Sequence, residues 1–190
     1  DDDWESEMDR VLITQPIVGC AFKKTYWDFN EDHPISENVL AKDFVVSYWT
    51  KNLKDCNRQS HVLYLSPNDI ISRQRRGIWS DFKLLPSQTI VEGNLAQAQD
   101  LAQGVHQPQS DPATPYELIE QHRWEDLDGD GFKEPYIITV HRPTKKVVRI
   151  VANYFDTSIK RNIDGEIISI KPESYFTKYS FIPSPDGGYY

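Results

Sequence analysis

The chain has 190 residues, of which 38% are hydrophobic and 12% aromatic, enough to bury a core and to exclude a disordered tail. Its formal net charge is -8, the reverse of the basic surface with which a DNA-binding domain neutralises phosphates. That balance excludes a tight grip on nucleic acid but not contact with DNA sliding past an acidic wall.

In chain order, Trp4, Met8, Val11 and Leu12 recur at helical spacing and predict a short opening helix that Pro16 stops. From Val18 to Trp27 the residues alternate with a period of two, which reads as a strand. Asn30 to Pro34 is turn-forming, and a second strand is expected over Asp43 to Tyr48. A short helix is expected over Asn52 to Arg58 and a strand over His61 to Leu65. Ser66-Pro67-Asn68-Asp69 is a helix start, with Ser66 as N-cap, Pro67 at the first position and Asp69 reaching back. Arg73, Arg75 and Arg76 suit that helix's C-terminal dipole, and Gly77 ends it. This dense basic patch could touch DNA or an acidic neighbour, and a solvated helix end is the plainer reading.

Ile90, Val91, Leu95, Ala98, Leu101 and Ala102 give an apolar face to a third helix over Gln88 to Gln103, closed by Gly104. Residues 107–115 are a linker by composition. Beyond it the texture changes. Tyr116 to Glu125 alternates, and Pro135 to Arg142 and Lys146 to Tyr154 are rich in Val, Ile and Tyr. The connection His141 to Lys145 has hairpin length, and Asp164-Gly165 signals a hairpin turn before Glu166 to Ile170. The expected organisation is α+β: a mixed α/β part over 1–106, the linker 107–115, and an antiparallel β meander over 116–190.

Cys20 and Cys56 are too few for a disulfide framework, and free thiols are expected. No CxxC or Cys/His pattern suggests zinc. The longest apolar runs, such as Phe44 to Trp49, are far too short for a spanning helix, and no membrane partner is expected. The N-terminus is acidic rather than basic and then apolar, so no signal peptide is read. A start at Asp1 and an end on Gly187-Gly188-Tyr189-Tyr190 read as an internal piece of a longer protein.

The sharpest local motif is Asp126-Leu127-Asp128-Gly129-Asp130-Gly131-Phe132-Lys133-Glu134. Alternate carboxylates followed by Gly form the front half of a calcium loop, because a hard cation needs several oxygens and Gly permits the turn that converges them. The twelfth position, which carries a bidentate Glu in the full loop, is Ile137 here. Asp126, Asp128, Asp130 and Glu134 are thus the candidate ligands for a structural calcium. The other reading is a hairpin turn built from Asp and Gly.

No nucleophile elbow, phosphate-binding loop, dinucleotide fingerprint or paired metal histidines stands in the sequence, and none of His33, His61, His106, His122 and His141 has a partner motif. The chain is therefore not expected to be an enzyme, and no catalytic residue or cofactor is assigned. His122 shares a strand face with Trp124 and is expected to be a packed or exposed strand residue.

Four segments resemble, in order, the portal proteins of short-tailed bacteriophages and related prophages. They are Leu12 to Asp28, Ala41 to Val46, Glu120 to Tyr136 and Phe181 to Tyr190. The resemblance implies a subunit of the ring, usually dodecameric, at one capsid vertex. It implies as partners further copies of the chain, terminase, capsid and tail proteins, and double-stranded DNA passing through without sequence recognition. It also implies assembly in the bacterial host cytoplasm and a final place in the virion. Ending before the stem helices, the chain would be mainly the peripheral wing. A second expectation is a calcium-stabilised β-rich module that recognises carbohydrate or a cell surface through Trp124, Tyr136 and Tyr154.

Overall fold

The computed structural model describes residues 2–28, 32–81 and 115–182. The helix expected over 88–103 and all but the last residue of the linker 107–115 lie outside them. The elements are α1 (Asp2–Val18), β1 (Cys20–Asp28), β2 (His33–Val39), β3 (Phe44–Val46), β4 (Arg58–Leu65), α2 (Pro67–Arg75), β5 (Tyr116–Glu125), β6 (Glu134–His141), β7 (Lys146–Ala152), β8 (Ile159–Arg161), β9 (Ile167–Ile170) and β10 (Phe176–Ser180). The described residues form three sheets, ordered β10-β1-β2, β3-β4-β5-β6-β7 and β8-β9. The pairings of β1, β3 and β8 are antiparallel, and β5, β6 and β7 neighbour one another in sequence order, as a meander requires. The fold is α+β and mostly β.

The chain divides into two compact units. One comprises Asp1–Val62, Glu120–Ile138 and Ile150–Tyr190; the other comprises Leu63–Ile119 and Thr139–Arg149. Each draws on residues from both sides of the linker.

In the first unit β1 is the central strand of its sheet, with Lys24 opposite Phe176 on β10 and Glu37 on β2. Its first five residues, Cys20 to Lys24, are all buried, because both faces of the strand are covered. Cys20 and Phe22 point into a core with Val39, Phe44 and Phe176, where the Phe44 ring lies 4.6 Å from Phe22 and 4.7 Å from Phe176. On the opposite face α1 packs: the Lys23 ammonium sits 4.7 Å from the Trp4 ring, and Glu7 accepts the Asn38 backbone N–H at 2.6 Å.

Helix α1 runs two residues beyond Pro16, where the sequence predicts a stop. Pro16 falls in the last turn, so its missing N–H affects only the Leu12 carbonyl and its ring does not prevent two further residues from following. The helix closes through Gly19 N–H to the Gln15 carbonyl at 2.9 Å, with Gly19 in the left-handed region at φ 89°. Strand β2 replaces the latter part of the turn expected over Asn30 to Pro34. It is an edge strand, and Pro34 is tolerated there because no further strand needs its N–H. The strand expected over Asp43 to Tyr48 shrinks to Phe44–Val46, and the helix expected over Asn52 to Arg58 to one 3-10 turn, Leu53–Asp55.

In the second unit α2 begins as its sequence predicts. Ser66 Oγ accepts the Asp69 N–H at 3.2 Å, and the Asp69 carboxylate accepts the Ser66 N–H at 3.2 Å. Gly77 sits in the left-handed region at φ 71°. Ile70 of this helix packs with Trp79, Leu118 and Val148. Arg73, one of the three clustered arginines, has its guanidinium 5.1 Å from the Trp79 ring, while Arg75 and Arg76 are exposed. Glu117 is buried and pairs with Arg142. Replacing Ser66 by Ala removes one half of the capping box, and a loss of about 1 kcal/mol is expected in denaturant unfolding; an unchanged midpoint would show that the cap is not needed.

Candidate functional site

The chemically richest place in the first unit is a buried polar cluster inside its apolar core. Alternation on β5 puts Glu120 and His122 on one face, and alternation on β1 puts Lys24 in line with Phe22. Glu120 accepts the Lys24 ammonium at 2.8 Å and His122 Nε2 at 3.1 Å. His122 therefore carries its proton on Nε2. Lys24, His61 and His122 are each under 9% exposed, in a setting where an unpaired charge would be strongly destabilising. The Phe176 ring lies edge-on to both histidines, at 5.1 Å from His122 and 5.8 Å from His61, and His122 also meets Tyr175 at 5.4 Å.

Burial by itself raises the Glu120 carboxyl. The hydrogen bond from His122 and the charge of Lys24 outweigh it and hold the group well below the ordinary carboxylate range. His61 moves the other way. Burial, with the Lys24 charge adding to it, lowers its imidazole to about 4, against the partial opposition of Glu120 and Asp43. His61 Nδ1 is buried without a hydrogen-bond partner.

Cys56, His122, Trp124, Asn153, Glu173 and Tyr175 help to line a cavity of about 410 Å³ beside this cluster. Asn153 ties its wall: its N–H donates to the Pro135 carbonyl at 2.9 Å, its carbonyl accepts the Glu173 N–H at 3.0 Å, and its side-chain amide donates to the Glu173 carbonyl at 3.2 Å. The Cys56 thiol donates to the Arg58 carbonyl at 2.9 Å and lies 3.2 Å from the Thr50 hydroxyl. Both cysteines are free and buried. In the second unit, His141 Nδ1 and the Thr144 hydroxyl lie 2.7 Å apart, a contact that spans the β6–β7 hairpin turn; burial lowers this imidazole.

The carboxylates of Asp126, Asp128 and Asp130 lie together, with one oxygen from each within 4.8 Å of the others. Asp126 accepts the N–H groups of Gly129 at 2.6 Å and Gly131 at 3.0 Å, and Asp130 accepts that of Phe132 at 2.7 Å. The two glycines take φ of 78° and 91°, the conformation for which the sequence supplies them. Such oxygens suit a hard cation such as calcium. Glu134 stands outside the group of three, its carboxylate engaged by the Tyr136 hydroxyl, and that hydrogen bond raises the phenol. Ile137, at the position of the missing bidentate ligand, is a buried residue of β6.

Trp124, Tyr136 and Tyr154, the expected exposed rings, are half-buried. Among the described residues the most exposed rings are Tyr48 and Trp49, 91% and 86% exposed; the sequence places Tyr48 at the end of a strand and Trp49 just beyond it, and neither in a site. His122 is packed, as expected, but the cluster around it joins β1, β4, β5 and β10, and no local motif marks it. A lysine alternating with apolar residues on a strand was the one available signal. No known family model matches the chain, and a search of curated proteins gives no match.

Two outcomes follow from these geometries. Unfolding returns His61 to about 6.5, so between that pH and about 4 the unfolded chain binds more protons than the folded one. Stability is therefore complete above this window and falls as pH drops through it, by on the order of 3 kcal/mol. Glu120 adds a further loss below the ordinary carboxylate range. Melting temperatures across this range are expected to fall steeply in the wild type and less in His61→Phe; parallel curves would assign the acid sensitivity elsewhere. Because backbone amides already close the Asp126 turn, chelation with EDTA is expected to leave the circular dichroism spectrum and melting temperature unchanged. A drop on chelation would show that a cation completes the turn.

Proposed function

We propose that this chain is part of the portal ring of a tailed bacteriophage, the channel for DNA packaging into the capsid and for genome ejection, and that it belongs mainly to the peripheral wing. The observation that carries the reading is the ordered resemblance of four segments. These fall on α1 and β1 (Leu12 to Asp28), on β3 and the turn before it (Ala41 to Val46), and on β5, the Asp126 loop and β6 (Glu120 to Tyr136). Phe181 and Ile182 open the fourth. An α+β, mostly β fold agrees with a wing.

The internal engagement of the titratable groups supports a mechanical role without bond chemistry. Lys24, Glu120 and His122 are committed to one another, and the Cys56 thiol is committed to the backbone. Among the described residues no helix is long and apolar enough to cross a membrane. On this reading the partners are further copies of the chain, terminase, capsid and tail proteins, and double-stranded DNA that an acidic surface repels rather than grips.

The convergence of Asp126, Asp128 and Asp130 favours a second reading, a calcium-stabilised β-rich module that recognises carbohydrate or a cell surface. Negative-stain microscopy with mass measurement on the full gene product separates the two. Rings with a central channel are the expected result. A monodisperse monomer at all salt and protein concentrations would sink the ring reading and leave the second to calcium titration and glycan screening.

A further inference from the structure

Tyr48 and Trp49 follow β3 and stand almost wholly in solvent, 91% and 86% exposed, with their rings edge to face at 5.3 Å. Two adjacent large rings left in water are unfavourable in an isolated chain, and each could bury roughly 150–250 Å² in a contact. The loop that carries them is held in place. The Thr50 N–H donates to the Ser47 carbonyl at 2.9 Å, the Gln59 amide donates to the Leu53 carbonyl at 2.5 Å, and the buried Cys56 thiol bridges Thr50 and Arg58. Rings on a preorganised loop lose little freedom when they dock. A cleft of about 270 Å³ opens beside Trp49, between Thr50, Lys51 and Asp55, room for a partner's side chain.

The charge of the loop is opposite to that of the chain. Lys51, Lys54 and Arg58 are exposed, and against them stands Asp55, whose carboxylate takes the Asn52 amide at 3.4 Å. The chain as a whole carries -8, so another copy of it presents a predominantly acidic surface. Trp, Tyr and Arg together are the residues that dominate protein interfaces.

We propose that the Tyr48–Trp49 loop is the surface by which this chain docks onto an acidic face of a second copy of itself. The choice of partner rests on the ring reading above. The loop does not face its own counterpart, because like charges would then meet. On the ring reading the contact is heterologous, head to tail, because a two-fold pair with each loop on the other copy's acidic face would stop at two subunits.

The test is sedimentation velocity of the wild type, Trp49→Ala and the double variant Lys51→Glu/Lys54→Glu, over a wide concentration range at low and high salt. Circular dichroism checks the fold, and microscopy of the full gene product runs in parallel. The expected result is reversible association that weakens with salt, and a dissociation constant raised about tenfold or more in each variant. A wild type that stays monomeric, variants that associate like the wild type, or rings that need an added oligonucleotide or glycan would overturn the proposal. If Trp49→Ala forms rings as the wild type does, the ring reading stands and this loop is not the contact. Trp49-dependent association without rings keeps the contact and removes the ring reading.

Discussion

The first unit depends on one buried carboxylate. Glu120 lies largely buried beside the apolar core, where an unpaired charge would be strongly destabilising, and it is tolerated because Lys24 and His122 both reach it. Lys24 comes from β1 and His122 from β5, strands of two different sheets, so the ion pair needs the register of β1 with β2 and β10 that turns Lys24 inward. A slip of one residue would turn Lys24 away from the core and bring Lys23, whose own face is covered by α1 and Trp4, toward Glu120. Phe22, Phe44 and Phe176 supply the apolar area, and the ionic contact selects the arrangement in which that area is buried.

The same cluster links packing to proton binding. The rings of His61 and His122 are both buried and both lie edge to face with Phe176. For His61, burial disfavours the charged ring and the Lys24 charge adds to that effect.

What was legible locally was whatever depends on neighbours in sequence. The Ser66–Asp69 capping box, Gly77, the Gly165 turn at φ 88° and the strands β5 to β7 are set within a few residues, and each stands close to where it was read. The convergence of Asp126, Asp128 and Asp130 is equally local, because the two glycines fold the chain back on itself. Strand β2 was not legible: as an edge strand it needs no alternating apolar face, and it reads His33-Pro34-Ile35-Ser36-Glu37-Asn38-Val39. Strands β8 and β10 escaped for a related reason, being short and defined by their partners rather than by their own composition.

The sequence by itself determined the fold class, the helix cap, the turns and the acidic loop, because these follow from φ preferences, periodicity and side chains within reach of their own backbone. Tertiary structure alone decided which polar groups share the core and which rings stay outside. Lys24, His61, Glu120 and His122 look like ordinary strand residues until β1, β4, β5 and β10 assemble, and Tyr48 looks like the end of a strand, with Trp49 next to it, until pairing stops at Val46. The physical reason is that burial and charge pairing depend on distance in space, and long-range strand pairing sets that distance independently of separation along the chain.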